Sequence, residues 1–393
     1  MESPNRQSKK NIFILGFVSL FTDISSQMIN PLIPQFLTSL GASTSLIGII
    51  EGIAESTASI FKTYFGRLSD KIQNRKKFIL FGYGLSAISK PFLFLSTIWG
   101  HVLLVKFTER MGKAMRSPAR DALIASSVPQ EKRGEAFGVH RAMDRAGALL
   151  GPVLAMAILY FAPDNIRLVF LLAGIPAFIA VLFIPFSKEI KISLKSSNNE
   201  AKQSLASNQT FVIFLIGNIV FSLGNSSNAF LLLKATEVGI TLYLIPLLWM
   251  SYNFVSMISA PLFGKLSDKI GRAPIISVSF LYYSIIYLGF SFFSDQLSIW
   301  LLFMAYGIYY GLSAGVYKAY ISDLVASDKR GAAFGIFETA IGLALLPASI
   351  IMGYVWELFG SSYAFMISSI FSLLGFVIVL ISFWSKSQTK EIN

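Results

Sequence analysis

Residues 66–77 read Gly-Arg-Leu-Ser-Asp-Lys-Ile-Gln-Asn-Arg-Lys-Lys, and residues 264–272 read Gly-Lys-Leu-Ser-Asp-Lys-Ile-Gly-Arg. Asp70 and Asp268 stand 198 residues apart. A second matching pair, Lys132-Arg-Gly-Glu-Ala-Phe-Gly138 and Lys329-Arg-Gly-Ala-Ala-Phe-Gly335, stands 197 residues apart. Two matches at nearly one offset make the chain a tandem duplication, its halves being parallel repeats related by an axis along the membrane normal.

Each of these polar stretches separates long apolar runs. Twelve runs are long enough to cross ~30 Å of hydrocarbon: 11–37, 45–65, 77–97, 100–121, 134–160 and 166–186 in the first half, and 210–234, 243–263, 274–293, 297–322, 330–357 and 363–386 in the second. The runs are long and unbroken, whereas barrel strands are ~10 residues of alternating polarity, so the expected spans are helices. The composition agrees. Hydrophobic residues make up 54% of the 393 and charged residues only 14%, against about 25% charged in soluble domains. The fold class is therefore all-α integral membrane, with 12 transmembrane helices in two six-helix bundles related by pseudo-two-fold symmetry.

The expected domains are a bundle over 1–186, a polar linker over 187–209 and a second bundle over 210–393. The linker is rich in Ser, Asn and Lys and reads as a flexible connector. The other loops are a few residues long and leave no room for a soluble domain. No G-x-x-x-x-G-K-[ST] motif is present. Cysteine is absent and the histidines are only His101 and His140, so neither a disulfide framework nor a metal centre is expected.

Lys and Arg set the orientation. With both termini in the cytoplasm, the inside segments hold 21 of the 33 basic residues and the outside loops hold only Arg167. The net charge of +12 then reflects membrane topology, and no nucleic-acid partner is expected. The chain is placed in the cytoplasmic (inner) membrane as a multi-pass monomer.

Charge inside a bilayer is costly and is usually functional or paired. The acids within the spans are Asp23, Glu51, Glu55, Glu109, Asp144 and Glu338; the bases are Lys62, Lys90, Lys106, Arg110, Lys113, Arg116, Arg120, Arg141, Arg145, Lys234 and Lys318. Lys234, Lys318, Lys62, Arg116 and Arg120 lie toward helix ends, where snorkelling is expected. At ~1.5 Å per residue, Asp23, Glu55, Arg110 and Arg145 converge roughly 15–18 Å deep. Lys106, Arg110 and Lys113 share one stripe of span 4, and Arg141, Asp144 and Arg145 share one face of span 5. The basic surplus favours an anionic solute, because arginine grips carboxylate and phosphate bidentately. Arg110, Lys106, Arg145 and Arg141 are the candidate anion contacts. The alternative reading of this set is mutual neutralisation, for instance of Arg110 by Glu55 or Glu109.

Asp23, Glu55, Asp144 and Glu338 are the candidate proton carriers, since low dielectric disfavours a charged carboxylate and lets it exchange protons near neutrality. The second half supplies polar and aromatic groups, among them Asn225, Tyr252 and Tyr310, as candidate substrate contacts.

The Gly66…Arg75 and Gly264…Arg272 loops resemble the G-x-L-[SA]-D-[RK]-x-G-R-[RK] signature of the major facilitator superfamily, and the resemblance extends over essentially the full chain. It implies two six-helix bundles around a central cavity, worked by alternating access, with no enzymatic activity and no cofactor. Gly66, Asp70, Arg75, Gly264, Asp268 and Arg272 would gate the cytoplasmic side. The first loop departs from the signature, carrying Gln73 where the second has Gly271. Gly147-Ala-Leu-Leu-Gly151-Pro152 resembles the family's antiporter motif without its last two glycines; a tight helix contact explains it equally well. The stretch Thr108–Asp121 resembles a bacterial subgroup of the family and names no substrate by itself; a known subset of bacterial facilitators carries siderophores, including carboxylate ones, and matches this chain by the charge of the cavity alone.

The expected function is proton-coupled symport or antiport of a small anionic or zwitterionic solute, with carboxylate siderophores and organic acids as the candidate classes. The alternative is drug:proton antiport. A receptor or membrane enzyme would need a ligand domain, a metal site or a nucleophile–base pair, and none is visible.

Overall fold

The computed structural model describes residues 4–129, 132–189, 208–313, 315–325 and 330–391. Most of the expected linker therefore lies outside the described residues. Among those described there is no strand. The first half contains α1 (Pro4–Ile29), α2 (Ile33–Ser39), α3 (Thr44–Ile72), α4 (Arg75–Ser89), α5 (Trp99–Ser126), α6 (Arg133–Phe161) and α7 (Ile166–Phe183). The second contains α8 (Gln209–Gly224), α9 (Ala229–Glu237), α10 (Ile245–Ile270), α11 (Arg272–Phe292), α12 (Gln296–Ser313), α13 (Val316–Leu324), α14 (Arg330–Phe359) and α15 (Ser361–Glu391). The pairs α1–α2, α8–α9 and α12–α13 are each one interrupted span, which makes twelve. Pro31 and Pro34 remove backbone donors where α1 passes into α2, and the chain tightens there into a 3-10 turn, Asn30–Leu32.

Nine of the described spans are long and apolar enough to cross a membrane by length and composition alone. The remaining three, α3, α4 and α5, hold most of the intramembrane charge of the first half.

The duplication reappears in the hydrogen bonds. Asn11 donates to Ser127 Oγ at 3.2 Å, and Asn208 donates to the Leu324 carbonyl at 2.7 Å. Arg133 Nε donates to the Ala125 carbonyl at 3.2 Å, and Arg330 Nε to the Ser322 carbonyl at 3.3 Å. Arg75 reaches the Ala122 carbonyl at 3.4 Å, and Arg272 reaches that of Ala319 at 2.8 Å. Every one of these pairs keeps the 197-residue offset. Within the signature stretch itself, from Gly66 to Ile72, the offset is 198, and it returns to 197 at Arg75 because the first loop has one more residue there: Asp70 pairs with Arg75 at 3.4 Å, five residues on, and Asp268 with Arg272 at 3.7 Å, four residues on. Both turns need a left-handed residue. Gln73 has φ 53°, and Gly271 has φ 94° with ψ 153°, a region open essentially to glycine alone. Asn74 then caps α4 by accepting from the Lys77 N–H.

The chain forms two compact units. One comprises Met1–Ala42, Thr57–Lys195 and Thr241–Met250; the other comprises Ser43–Ser56, Ser196–Ile240 and Ser251–Asn393. The first turns of α3 therefore belong with the second unit. Within that unit they lie on α14 through small residues. A Cβ on Gly52 would sit 2.9 Å from Leu346 Cδ1, and one on Gly48 would collide with the Ser349 carbonyl. Ser56 donates to the Gly342 carbonyl at 2.8 Å, Thr44 to that of Gly353 at 3.2 Å, and the Ser45 N–H to Glu357 at 3.0 Å.

Candidate functional site

In the first unit the site grows from two close helix contacts. The first is between α1 and α6. Gly147 faces the Leu20 carbonyl so closely that any side chain would collide, and a Cβ on Gly151 would lie 2.5 Å from the Ile24 carbonyl oxygen. The Gly147–Pro152 motif thus has a packing role: small residues let the backbones touch. That approach brings Asp23 of α1 and Asp144 of α6 close enough to act on each other electrostatically. Ser19, one turn from Asp23, donates its hydroxyl to Asp144. Arg120 of α5 donates to Ser19 Oγ and to Tyr83 Oη, both at 3.4 Å, and grips Asp121 with Nη2 at 2.9 Å.

The second contact is between α4 and α5, where a Cβ on Gly82 would lie 2.6 Å from the Gly112 carbonyl. It positions a cationic cluster around Glu109. Arg110 Nε stands 3.7 Å and Arg116 Nη2 3.8 Å from the Glu109 carboxylate, and Lys90 and Lys113 also act on it electrostatically. Arg116 is buried, donates to Ser86 Oγ and lies 4.6 Å over the Tyr83 ring. Lys90 is 3% exposed. It sits where α4 gives way to the 3-10 turn Lys90–Leu93 ahead of Pro91. Its ammonium donates to Ser25 Oγ at 3.1 Å and Ser26 Oγ at 2.8 Å on α1.

In the second unit, span 7 opens between Gly224 and Ala229. Irregular backbone at membrane depth must be satisfied by protein or line a cavity. Here Tyr283 donates to the freed Gly224 carbonyl at 3.0 Å and to Asn225 Oδ1 at 3.3 Å. Tyr306 donates to Asn228 Oδ1 at 2.8 Å, and Ser227 Oγ donates to the buried Glu51 at 3.2 Å. Around the opening the tyrosines pack ring on ring: Tyr252 stacks on Tyr306 at 5.3 Å, meets Tyr310 edge-on at 5.8 Å, and Tyr283 meets Tyr309 at 4.8 Å. Glu338 is paired with Lys318 at 3.0 Å.

The sequence-predicted residues thus fall into distinct places. Asp23 and Asp144 come together, and Arg110 lies beside Glu109. Glu55 falls on the segment that belongs with the second unit. Arg145 and Lys106 are half-buried, and Arg141 is exposed. Asn225, Tyr252 and Tyr310 gather at the opening of span 7. The expectation of snorkelling is corrected for three residues. Arg116 and Arg120 are held inside the first unit, and the side chain of Lys234 is 2% exposed, with its ammonium donating to Ser361 Oγ at 2.9 Å and facing Glu237 at 3.4 Å. Lys90, Ser19 and Tyr83 were not singled out as site residues. Lys90 carried the one available signal, a lysine directly before a proline deep in an apolar run.

Twelve helical spans in two repeats, with charge and a broken helix buried at membrane depth, define a membrane carrier. The profile of the Major Facilitator Superfamily matches residues 15–343 and 214–393, and the chain belongs to that family. It is 35% identical, over 96% of both chains, to an uncharacterized MFS-type transporter, MJ1317, of Methanocaldococcus jannaschii. It is 27% identical, over 98% of both chains, to the multi-drug resistance efflux pump PmrA of Streptococcus pneumoniae. Among solved structures, the nucleoside transporter NupG superposes with a TM-score of 0.76 at 14% identity, covering 95% of this chain and 98% of that one; at that identity the likeness shows the fold. The chain is accordingly a multi-pass membrane transporter of small molecules and not an enzyme.

Proposed function

We propose that this transporter moves a small anionic or zwitterionic organic solute across the cytoplasmic membrane by proton-coupled alternating access, with both termini in the cytoplasm. The observation that carries this reading is the cluster at Glu109, where one carboxylate is surrounded by Arg110, Arg116, Lys90 and Lys113. Positive charge gathered at membrane depth attracts an anion, and arginine binds its oxygens bidentately. The Asp23–Asp144 pair supports the proton coupling. Two neighbouring carboxylates repel when both are ionised, and a single shared proton relieves that repulsion. Tyr252, Tyr306 and Tyr310 would supply stacking and hydrogen bonds to the organic part.

A second reading, drug:proton antiport, is favoured by the tyrosine cluster, which suits planar lipophilic compounds, and by the likeness to a protein named as a multidrug pump. One experiment separates the two. The purified protein is screened by thermal shift against organic acids, phosphates, amino acids, siderophores and lipophilic cations, and hits are tested for flux in proteoliposomes with an imposed pH gradient. Stabilisation and pH-driven flux of acids uphold the anion reading. Response to lipophilic cations alone overturns it in favour of efflux.

A further inference from the structure

A carrier worked by alternating access needs a closure at each end. The signature loops bear on one end of spans 2 and 8 only. These two spans have 29 residues each, Thr44–Ile72 and Leu242–Ile270, at an offset of 198. Their other ends show an exchange. Ser43–Ser56 packs with the second unit, and Thr241–Met250 packs with the first. Ser43 and Thr241 are themselves 198 residues apart. Each repeat thus lends the leading turns of its second span to the other unit.

At one shared repeat position, each lent segment holds an interrupted span. In the second unit the buried Glu51 accepts from Ser227 Oγ at 3.2 Å. Ser227 lies in the opening of span 7. Its hydroxyl accepts from the Ala229 N–H at 3.2 Å, in the first turn of α9, and its own N–H donates to Ser349 Oγ of α14 at 3.2 Å. In the first unit the buried Trp249 donates from Nε1 to Gln27 Oε1 at 2.7 Å. Gln27 sits in the last turn of α1, three residues before the 3-10 turn Asn30–Leu32. Glu51 and Trp249 are 198 residues apart. A carboxylate and an indole have little in common beyond hydrogen bonding, so the two halves share the position and its contact but not the residue. Packing alone gives no reason for unlike side chains to grip the break of a span at the same repeat position.

We propose that Glu51 and Trp249 are paired latches of the end opposite the signature loops. They are positioning residues. Through Ser227 and Gln27 they fix the breaks in spans 7 and 1, and both contacts separate when the carrier opens at that end. Each latch rests on a hydrogen bond, weak enough to be broken and remade in every cycle. The seams beside them suit reclosure. On one side Gly48 and Gly52 leave bare backbone against α14, and on the other Tyr243 meets Tyr160 edge-on at 6.1 Å. This inference rests on the alternating access of the proposed function, and on neither its solute nor its proton coupling.

The test takes Ser56→Cys as a reporter in the cysteine-free chain. Ser56 is buried in the second unit, where it donates to the Gly342 carbonyl at 2.8 Å. The rate of maleimide labelling of the purified full chain is measured alongside its melting temperature. Glu51→Ala and Trp249→Phe should each speed labelling about two- to tenfold, the change expected for one hydrogen bond, and the double variant by the product of the two. Glu51→Gln keeps an acceptor for Ser227 and should stay near the parent. Trp249→Phe decides the matter, because it alters the first unit while the reporter lies in the second, and a local packing defect would not reach it. Gln27→Leu added to Trp249→Phe should bring no further change. If Glu51→Ala does not fold, Ser227→Ala removes the same bond from its other side. Unchanged labelling in Trp249→Phe would overturn the pairing, whatever Glu51→Ala does. Faster labelling that merely tracks a fall in melting temperature would also overturn it, as general loosening. No solute or pH gradient enters the assay, so the latches and the anion or proton reading can fail separately.

Discussion

Asp23 on α1 and Asp144 on α6 are close enough to act on each other electrostatically, and Ser19 donates its hydroxyl to Asp144. Replacing either acid with its amide keeps the shape and removes the proton-exchanging group. Asp23→Asn and Asp144→Asn should each lower pH-gradient-driven transport by about tenfold or more, comparable to loss of a general acid–base group. Gradient-independent exchange should survive. Full gradient-driven flux in both single variants would remove the pair from the coupling mechanism.

That closeness depends on two glycines. Gly147→Ala puts a methyl group against the Leu20 carbonyl, and overpacking of this kind costs about 1–3 kcal/mol. Gly138, on the same helix, has open space around its Cα. Gly138→Ala should therefore be neutral or stabilising by up to about 1 kcal/mol, from helix propensity alone. Thermal unfolding of the two variants in the same detergent compares them directly, and an equal response would deny the tight seam.

The two signature turns should respond unequally to substitution at their positive-φ residues. Gly271→Ala is forced into backbone that only glycine adopts readily, at a cost of about 1–3 kcal/mol. Gln73→Gly should cost little, because a left-handed strain is relieved as chain entropy is lost. A fall in melting temperature for Gln73→Gly as large as that for Gly271→Ala would show that these turns do not control their own stability.

Asp70 and Asp268 are 57% and 69% exposed beside their arginines. Exposed pairs contribute about 0–1 kcal/mol, so Asp70→Asn and Asp268→Asn should scarcely move the melting temperature. If the loops gate the cycle, turnover should fall while substrate affinity holds. Arg272 also pairs with Asp323, whereas Arg75 meets Ser126 at the equivalent place, 3.4 Å away. Asp268→Asn should accordingly be milder than Asp70→Asn, since Arg272 keeps a second carboxylate. The reverse ranking would count against that compensation.

Topology can be read on a clean background, because the chain has no cysteine. Ser43 and Gln73 are both exposed, at opposite ends of α3. Ser43→Cys should react with impermeant maleimide on intact cells, and Gln73→Cys only after permeabilisation. Labelling of Gln73→Cys from outside would invert the orientation assigned here from lysine and arginine.

Spans and repeats were legible because hydropathy and a repeated motif are properties of the chain read in line. Even the step in offset from 198 to 197 had a written cause, Gln73-Asn74 against the single Gly271. Side-chain partners were not legible. Axial depth placed Arg116 near a helix end and suggested snorkelling, but its fate is set by Tyr83, Ser86 and Glu109, which come from a neighbouring helix and from two turns back along its own. Lys234 is held the same way by Ser361, 127 residues away. The meeting of Asp23 with Asp144 required knowing that α1 and α6 touch, a fact carried by two glycines whose spacing alone permits many partners.

The lodging of α3 on α14 sets an order of events during synthesis. Thr44 finds the Gly353 carbonyl 309 residues later in the chain. At ribosomal rates of about 5–20 residues per second, that partner arrives roughly 15–60 s after Thr44 has been made. Through that interval Gly48 and Gly52 offer a bare backbone groove to the lipid or to any passing helix. The newborn first half is thus an incomplete object that depends on insertion machinery or chaperones to shelter it, and separate expression of the two halves should yield a first half prone to degradation unless the second is supplied in the same cell.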